Sequence, residues 1–203
     1  MKKHTFLITL FLVGLVISAI KPHDYFTWIL EVFPAIIGFV VLLITFKKFQ
    51  FSYVSYIMIL FHCYVLFIGG HYTYAEVPLF DWIREVFHQS RNNYDKVGHF
   101  TQGFVPAMIT RELLVRKEVV KKGGWLSFLT VCVCLSISAF YEFLEWFVAI
   151  VSGQNSDSFL GTQGYVWDTQ SDMLYAFMGA LSMIVLFSKI HDNQIKNLQK
   201  LNN

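Results

Sequence analysis

Six long apolar runs separated by polar segments are the feature that most constrains this chain. They cover residues 5–20, 27–46, 53–70, 99–115, 125–151 and 172–188. Runs of about 20 apolar residues have the length that an α-helix needs to cross the hydrocarbon core of a bilayer. Only 15% of the 203 residues are charged, whereas soluble domains carry about 25%. The pattern predicts an all-α, polytopic membrane helix bundle that forms a single domain over residues 1–203.

Two of the runs admit a second interpretation. Lys2 and Lys3 precede the first run as they would in a secretory signal peptide, but the segment 18–22 is a poor cleavage site. We therefore predict that the first run is an uncleaved helix. The fourth run is interrupted by polar residues, and a re-entrant segment is the alternative to a full crossing.

The basic residues predict the orientation of the helices. With the N-terminus inside, twelve of the sixteen Lys and Arg residues fall in the cytoplasmic segments, as the positive-inside rule requires. The four that fall outside are Lys21, Arg84, Arg91 and Lys96. We therefore predict six transmembrane helices with both termini in the cytoplasm.

On this topology, polar residues from four separate runs meet at the outer membrane face. These residues are His71, Tyr72 and Tyr74 after the third run, Asp95, His99 and Gln102 at the start of the fourth, Glu142 and Glu145 in the fifth, and Asp168, Gln170, Asp172 and Tyr175 at the start of the sixth. The orientation was derived from Lys and Arg alone. The convergence therefore indicates a polar site that opens outward.

Glu142 and Glu145 point most clearly to a function. They are three residues apart, so they lie about 60° apart on one helix face. A charged side chain at the centre of a membrane helix costs roughly 2.5–3.5 kcal/mol on insertion scales. Packing alone does not require two such carboxylates, which also repel each other.

These considerations predict roles for individual residues. Catalytic candidates are Glu142, Glu145, His99 and Asp95, and substrate-binding candidates are Tyr72, Tyr74, Gln102, Gln163, Trp167, Gln170 and Tyr175. The candidate ligands of a divalent metal are His71, His99, Glu142, Glu145, Asp168 and Asp172. Such side chains suit Zn²⁺, Mn²⁺ or Mg²⁺, although their spacing is permissive rather than diagnostic. The glycine-rich segment 161–164 is either a turn or a close backbone approach to a ligand.

Three functional interpretations stay open. The first is a hydrolase or transferase that acts on a lipid or envelope precursor, with membrane lipids as partners. The second is a protein that binds or transports a cation, a proton or a lipid headgroup. The third is a structural membrane partner in which buried acids join helices through hydrogen bonds, with Arg91 or Lys96 as counter-charges.

Other classes are disfavoured. A net charge of +2 gives no basis for nucleic-acid binding. Cys63, Cys132 and Cys134 lie inside apolar runs and have the pattern of small core residues rather than of a disulfide framework. The familiar nucleotide-binding, serine-hydrolase and zinc-helix motifs are absent from the sequence.

Five motifs in order along the chain resemble the YjdF-type family of bacterial inner-membrane proteins. They are the segments 70–74, 91–100, 141–146, 161–164 and 167–173. The resemblance implies a six-helix protein of the bacterial inner membrane and no established activity. The C-terminal half is also faintly similar to VanZ-like proteins, through Asp95, Lys96 and His99, then Glu142, and then Asp168 or Asp172. The chain has Glu-x-x-Glu where those proteins often have Glu-x-x-Gln.

Overall fold

Every element of regular structure in the computed structural model is helical over the residues that it describes, 2–152 and 165–202. The helices are α1 Lys2–Ser18, α2 Tyr25–Thr45, α3 Tyr53–Tyr72, α4 Pro78–Val86, α5 Tyr94–Arg116, α6 Gly124–Ser152, α7 Asp168–Ser182 and α8 Ser188–Asn202. A π-helical turn, Met183–Phe187, joins α7 directly to α8. The all-α prediction is confirmed for the described part of the chain.

In the part of the chain that the structure describes, four helical segments are long and apolar enough to cross a membrane. They are Tyr25–Thr45, Tyr53–Tyr72, Gly124–Val151 and the continuous rod Asp168–Lys200. The helix α1 is only 17 residues long, and α5 carries many polar residues, so neither meets the same standard. The number of six crossings and the cytoplasmic position of both termini stay predictions.

The fourth and sixth predicted helices begin earlier than the apolar runs do. The helix α5 starts at Tyr94 rather than at 99, and α7 starts at Asp168 rather than at 172. Their first turns are polar, which hides them from hydropathy. The Asn92 side chain accepts a hydrogen bond of 3.1 Å from the Tyr94 backbone N–H and so fixes the start of α5. The helix is continuous for 23 residues, and both a full crossing and the re-entrant alternative stay predictions.

A short helix that the apolar runs do not show lies between α3 and α5. This helix, α4, has nine residues, with Pro78 in its first turn, a position that suits proline because its missing N–H has no partner there anyway. Asn92, just before α5, donates a hydrogen bond of 3.0 Å to the carbonyl oxygen of Val77, just before α4. This contact links the starts of the two helices. The segment is too short to be recognised as an element by apolar length alone.

The tightest helix pair is α5 with α7, and glycines make the close approach feasible. Gly103 lies against the backbone of Ala176, and Gly179 lies against the backbone of Phe100, with no room for a side chain at either position. Small residues let two membrane helices approach closely enough for backbone contact. This contact fixes the register in which the polar first turns of α5 and α7 face each other.

A layer of buried apolar side chains divides the bundle into two ends. The layer contains Phe104, Val105, Ala107, Met108, Cys134, Ala180 and Met183. We call the end where α3 finishes and α5 and α7 begin the site end. We call the end that contains the start of α3, the end of α5 and the helix α8 the far end.

Candidate functional site

Among the described residues, two groups of three potential metal ligands lie at the site end. The glutamate trio consists of His99, Glu142 and Glu145, and the aspartate trio consists of Asp95, Asp168 and Asp172. Within each trio, one ligand atom from every residue lies within 4.8 Å of the others. The helices α5, α6 and α7 contribute these residues, so the site depends on the packing of three helices and on no local motif.

The aspartate trio forms ion pairs with two cations of this chain, Lys96 and Arg91. The Lys96 ammonium lies 3.3 Å from Asp95, 3.0 Å from Asp168 and 2.7 Å from Asp172. Arg91 adds ion pairs of 2.7 Å with Asp95 and 3.0 Å with Asp168. A protonated lysine therefore already stands where these three carboxylates converge, and the group joins α5 to α7 electrostatically.

Arg91 lies just before α5 and is itself partly buried. Burial disfavours its charged form, but the carboxylates of Asp95 and Asp168 outweigh this effect and raise the pKa of Arg91 above its ordinary value. The guanidinium therefore stays charged at neutral pH. The sequence-derived prediction that Arg91 and Lys96 act as counter-charges agrees with this geometry.

The glutamate trio has no such ion pairs among the described residues. Among the residues that the structure describes, no Lys or Arg forms an ion pair with Glu142 or Glu145. The Oε1 atoms of both glutamates are inaccessible to solvent and have no hydrogen-bond partner within the described ranges 2–152 and 165–202, although Thr169 hydrogen-bonds the Glu142 carboxylate. Buried polar atoms are satisfied in most proteins, so two unsatisfied carboxylate oxygens side by side require an explanation.

The orientation of the His99 ring is held by Gln102. The Nδ1 atom of His99 lies 3.0 Å from Gln102 Oε1. Because an amide oxygen can only accept, Nδ1 donates this hydrogen bond, and in the neutral imidazole Nε2 then keeps a free lone pair. The Nε2 atom lies 3.7 Å from Asp172 Oδ2. Fixing one ring nitrogen by a hydrogen bond is how proteins prepare the other nitrogen to bind a metal.

A cavity of about 190 Å³ adjoins the glutamate trio. His99 and Gln102 line it together with Tyr74, Tyr141 and Ile137. The predicted substrate contacts Tyr74 and Gln102 are thus beside the trio. A cavity of this size has room for a small ion with its waters or for part of a substrate.

Several predicted site residues lie elsewhere. Tyr175 lines a separate cleft of about 880 Å³ beside Lys96 and Arg91. Tyr72, Trp167 and Gln170 are exposed. Gln163 and the glycine-rich segment 161–164 lie outside the described residues. Their predicted contacts with a substrate stay predictions.

The candidate metal ligands do not form one group. His71 lies outside both trios. Its Nδ1 donates a hydrogen bond of 3.0 Å to the carbonyl oxygen of Ser18, at the end of α1. Asp168 and Asp172 belong to the aspartate trio and not to the glutamate trio. Asp95, a catalytic candidate, lies in that same trio.

Glu31 is an acid of the site end that sequence reasoning missed. It is 0% exposed, and its carboxylate acts electrostatically on Glu145 and Tyr141. The signal was present, since Glu31 is the only charged residue in Tyr25–Thr45. The long hydrophobic run around Glu31 predicted a membrane-spanning helix, and the single acid within it was not recognised as a candidate site residue.

Sequence reasoning also missed a polar cluster at the far end. Glu112 is 0% exposed and accepts hydrogen bonds from the Ser52 N–H and hydroxyl at 2.7 and 2.8 Å, from Ser55 at 2.7 Å and from Arg116 at 2.8 Å. His191 Nε2 lies 3.0 Å from the same carboxylate. The cluster ties α3, α5 and α8 together, and its acid is fully satisfied.

Comparisons with known proteins agree on one family. The family model described as Predicted membrane protein (DUF2238) matches residues 3–193. The Inner membrane protein YjdF of Escherichia coli (strain K12) is 45% identical over 182 residues, which cover 90% of this chain and 87% of that protein. No solved structure matches the chain. The resemblance derived from the five sequence motifs is therefore confirmed, as is a multi-pass location in the inner membrane.

Proposed function

This chain belongs to the DUF2238 family of membrane proteins, and we propose that it is a hydrolase or transferase that acts on a lipid or envelope precursor. In this proposal the glutamate trio holds a divalent cation at the outer face of the membrane. The observation that carries the proposal is that one ligand atom each of His99, Glu142 and Glu145 lies within 4.8 Å of the others. Among the described residues one carboxylate oxygen of each glutamate lacks a hydrogen-bond partner, and His99 lines a cavity. A divalent cation would satisfy both oxygens and relieve the repulsion between the glutamates.

The donor set favours particular ions. One imidazole nitrogen with two carboxylates suits Zn²⁺ or Mn²⁺ better than Mg²⁺ or Ca²⁺, which prefer oxygen ligands. Three protein ligands leave a position for water or substrate, as catalytic zinc sites do. A cation there supplies Lewis acidity and lowers the pKa of a bound water, which is the chemistry that hydrolysis of an ester or phosphoester needs.

The position of the trio supports action from one side of the membrane. The apolar layer around Val105 and Met108 lies between the trio and the satisfied far-end cluster around Glu112. A transport route would require polar groups through this layer. The distribution of Lys and Arg along the sequence predicts that the site end faces outward.

Cation binding without catalysis is the second candidate function. The same unsatisfied oxygens favour it, because a buried carboxylate pair gains as much from a bound ion whether or not a substrate reacts there. A purely structural role explains this trio less completely. Thr169 of α7 hydrogen-bonds the Glu142 carboxylate, but Glu142 Oε1 and Glu145 Oε1 have no hydrogen-bond partner among the described residues. The aspartate trio fits the structural interpretation instead, because its ion pairs with Arg91 and Lys96 join α5 to α7.

The test is the metal content of the purified full-length protein and of a Glu142→Gln/Glu145→Gln double variant, measured by elemental mass spectrometry. We expect near-stoichiometric Zn²⁺ or Mn²⁺ in the native protein and none in the variant. We also expect the variant to fold as well as the native protein, because the substitutions remove two repelling buried charges. Hydrolysis of envelope phospholipid extracts by the metal-loaded protein then distinguishes catalysis from binding.

Glu85→Gln is the matched control, because Glu85 is an exposed acid of α4 outside both trios. It should retain the metal and the stability of the native protein. A native protein without metal under metal-replete conditions would contradict the proposal. A double variant that retains its metal would place the ion elsewhere and contradict it equally.

A further inference from the structure

The short helix α4 and the residue that follows it carry a patch of exposed apolar side chains. Four large side chains are exposed over 49–67% of their surface, namely Leu79, Trp82, Val86 and Phe87. At 100° per residue, the first three of these lie within about 60° of one another around the helix. Single exposed apolar residues are common, but a contiguous patch on one helix face marks a surface that contacts something apolar.

The other side of α4 attaches the helix to the protein. The charged residues of the helix occupy a separate arc of about 100° and are Asp81, Arg84 and Glu85. Asn92 donates a hydrogen bond of 3.2 Å to the Asp81 carboxylate. The ring of Phe80 packs edge-on against that of Tyr94, with 5.2 Å between their centroids. These contacts fix α4 on the bundle and leave its apolar face exposed.

The position of α4 along the chain indicates which medium covers this face. Only five residues separate α4 from α3, which is long and apolar enough to cross a membrane. His23, just before the apolar segment Tyr25–Thr45, donates a backbone hydrogen bond of 2.8 Å to the His71 carbonyl oxygen. Its ring Nε2 lies 3.2 Å from the carboxylate of Glu76, just before α4. The helix therefore begins at the level where two apolar helices end, and the surface of the bilayer lies at that level.

We propose that α4 is an interfacial helix, which lies in the surface of the bilayer at the site end. It inserts Leu79, Trp82 and Val86 into the boundary between the lipid headgroups and the hydrocarbon. Amphipathic helices bind in this way with their apolar face buried, and tryptophan is enriched at this depth. Phe80 lines the cleft beside Lys96, so insertion of α4 also holds that wall of the cleft at the depth of the headgroups.

Apolar burial and not charge drives this insertion. Two acids and one base, Asp81, Glu85 and Arg84, give the helix a net charge of −1. Attraction to anionic lipids therefore contributes nothing, in contrast to the many interfacial helices that are rich in Lys and Arg. A bilayer of uncharged phosphatidylcholine should hold α4 in the same position as an anionic one. The proposal is independent of whether the glutamate trio binds a metal.

The experiment measures the surroundings of spin labels on α4 in the full-length protein, reconstituted in phosphatidylcholine nanodiscs. The background variant replaces the three native cysteines with alanine. Leu79→Cys and Val86→Cys then place a nitroxide on the apolar face. Power saturation compares collisions with oxygen, which is enriched in lipid, and with a water-soluble nickel chelate. We expect the ratio of oxygen to nickel collisions to be several-fold higher at these two positions than on the charged side of the helix.

Arg84→Cys and Glu85→Cys are the matched controls, because they carry the same label on the charged arc of the same helix. Nickel collisions should dominate at both. Dominant nickel collisions at all four positions would place the whole helix in water and overturn the proposal. Shielding of positions 79 and 86 from both reagents would show that a second protein copy covers the face, which would overturn it equally.

Tryptophan fluorescence provides the test if the cysteine-free background fails to fold. The native protein and Trp82→Phe are compared in nanodiscs, and the difference between their emission spectra is the emission of Trp82. We expect this emission to be quenched by lipids brominated close to the headgroup and to be protected from aqueous iodide. Quenching by iodide with no effect of the brominated lipid would overturn the proposal.

Discussion

The two trios at the site end are alike in composition and opposite in electrostatics. Each brings three potential ligand atoms within 4.8 Å of one another. The aspartate trio surrounds the Lys96 ammonium and pairs with Arg91, whereas the glutamate trio has two unsatisfied carboxylate oxygens. A cluster of acids in a membrane helix bundle therefore does not by itself mark a binding site. Acids that are ion-paired within the protein join helices, whereas acids without such partners are candidates for binding a ligand.

The far-end cluster extends the same comparison. Glu112 is as buried as any acid of the site end, but Ser52, Ser55, Arg116 and His191 all donate to it. It resembles the aspartate trio in being satisfied by the protein itself. We therefore expect substitutions in these two groups to affect stability, and substitutions in the glutamate trio to affect ligand binding.

Removing the lysine should have the largest effect on stability. Lys96→Met leaves three buried aspartates with only Arg91, and breaking a buried ion pair costs about 3–5 kcal/mol. We expect a corresponding decrease in the free energy of unfolding, measured by denaturant titration in detergent. Millimolar Mn²⁺ should restore part of it, because the vacated centre already has three carboxylates in ligand positions.

The control for this substitution is Lys122→Met. Lys122 pairs with Asp192 at 2.8 Å, but 43% of its side chain is exposed, and such surface pairs contribute about 0–1 kcal/mol. Equal losses in Lys96→Met and Lys122→Met would show that the aspartate trio is not held together by its lysine. The comparison between the two trios would then lose its basis.

Glu112→Gln should have the second largest effect. Its amide cannot accept all the hydrogen bonds that the carboxylate accepts, and hydrogen bonds to a charged group contribute about 1.5–3 kcal/mol each. We expect the free energy of unfolding to fall by about 2–3 kcal/mol with the metal content unchanged. A loss of metal in this variant would mean that the two ends of the bundle are coupled across the apolar layer.

Gln102→Leu should have the smallest effect on stability and a specific effect on the site. It removes one hydrogen bond, which costs about 1 kcal/mol, and it frees the His99 ring to turn. Loss of such an orienting partner typically weakens metal affinity by about 10–100-fold. Isothermal titration with Zn²⁺ should show this decrease, whereas Gln102→Glu, which restores an acceptor for Nδ1, should bind nearly as tightly as the native protein.

The sequence predicted the helices well and the pairing of their polar residues poorly. Hydropathy located the long helices because apolar length is a local property. It missed the first turns of α5 and α7, which are polar. Lys96 and Asp168 lie in these turns and form an ion pair with each other. That pairing depends on the register set by Gly103 and Gly179 against the facing backbone, which no local pattern encodes.

The candidate site was predicted in part for the same reason. Glu142 and Glu145 were recognised because two acids one turn apart are unusual in any apolar run. The separation of Asp168 and Asp172 from them could not be predicted, since it follows from where the Lys96 side chain reaches. Glu31 was recognisable as a lone acid in an apolar helix, but its proximity to Glu145 depends on how α2 packs.

The most direct test of the account is anomalous diffraction from crystals of the full-length protein grown with Mn²⁺. The account predicts one strong peak about 2.0–2.2 Å from His99 Nε2 and from carboxylate oxygens of Glu142 and Glu145. It predicts no peak between Asp95, Asp168 and Asp172, where the Lys96 ammonium lies. A peak at the aspartate trio with none at the glutamate trio would contradict the central claim.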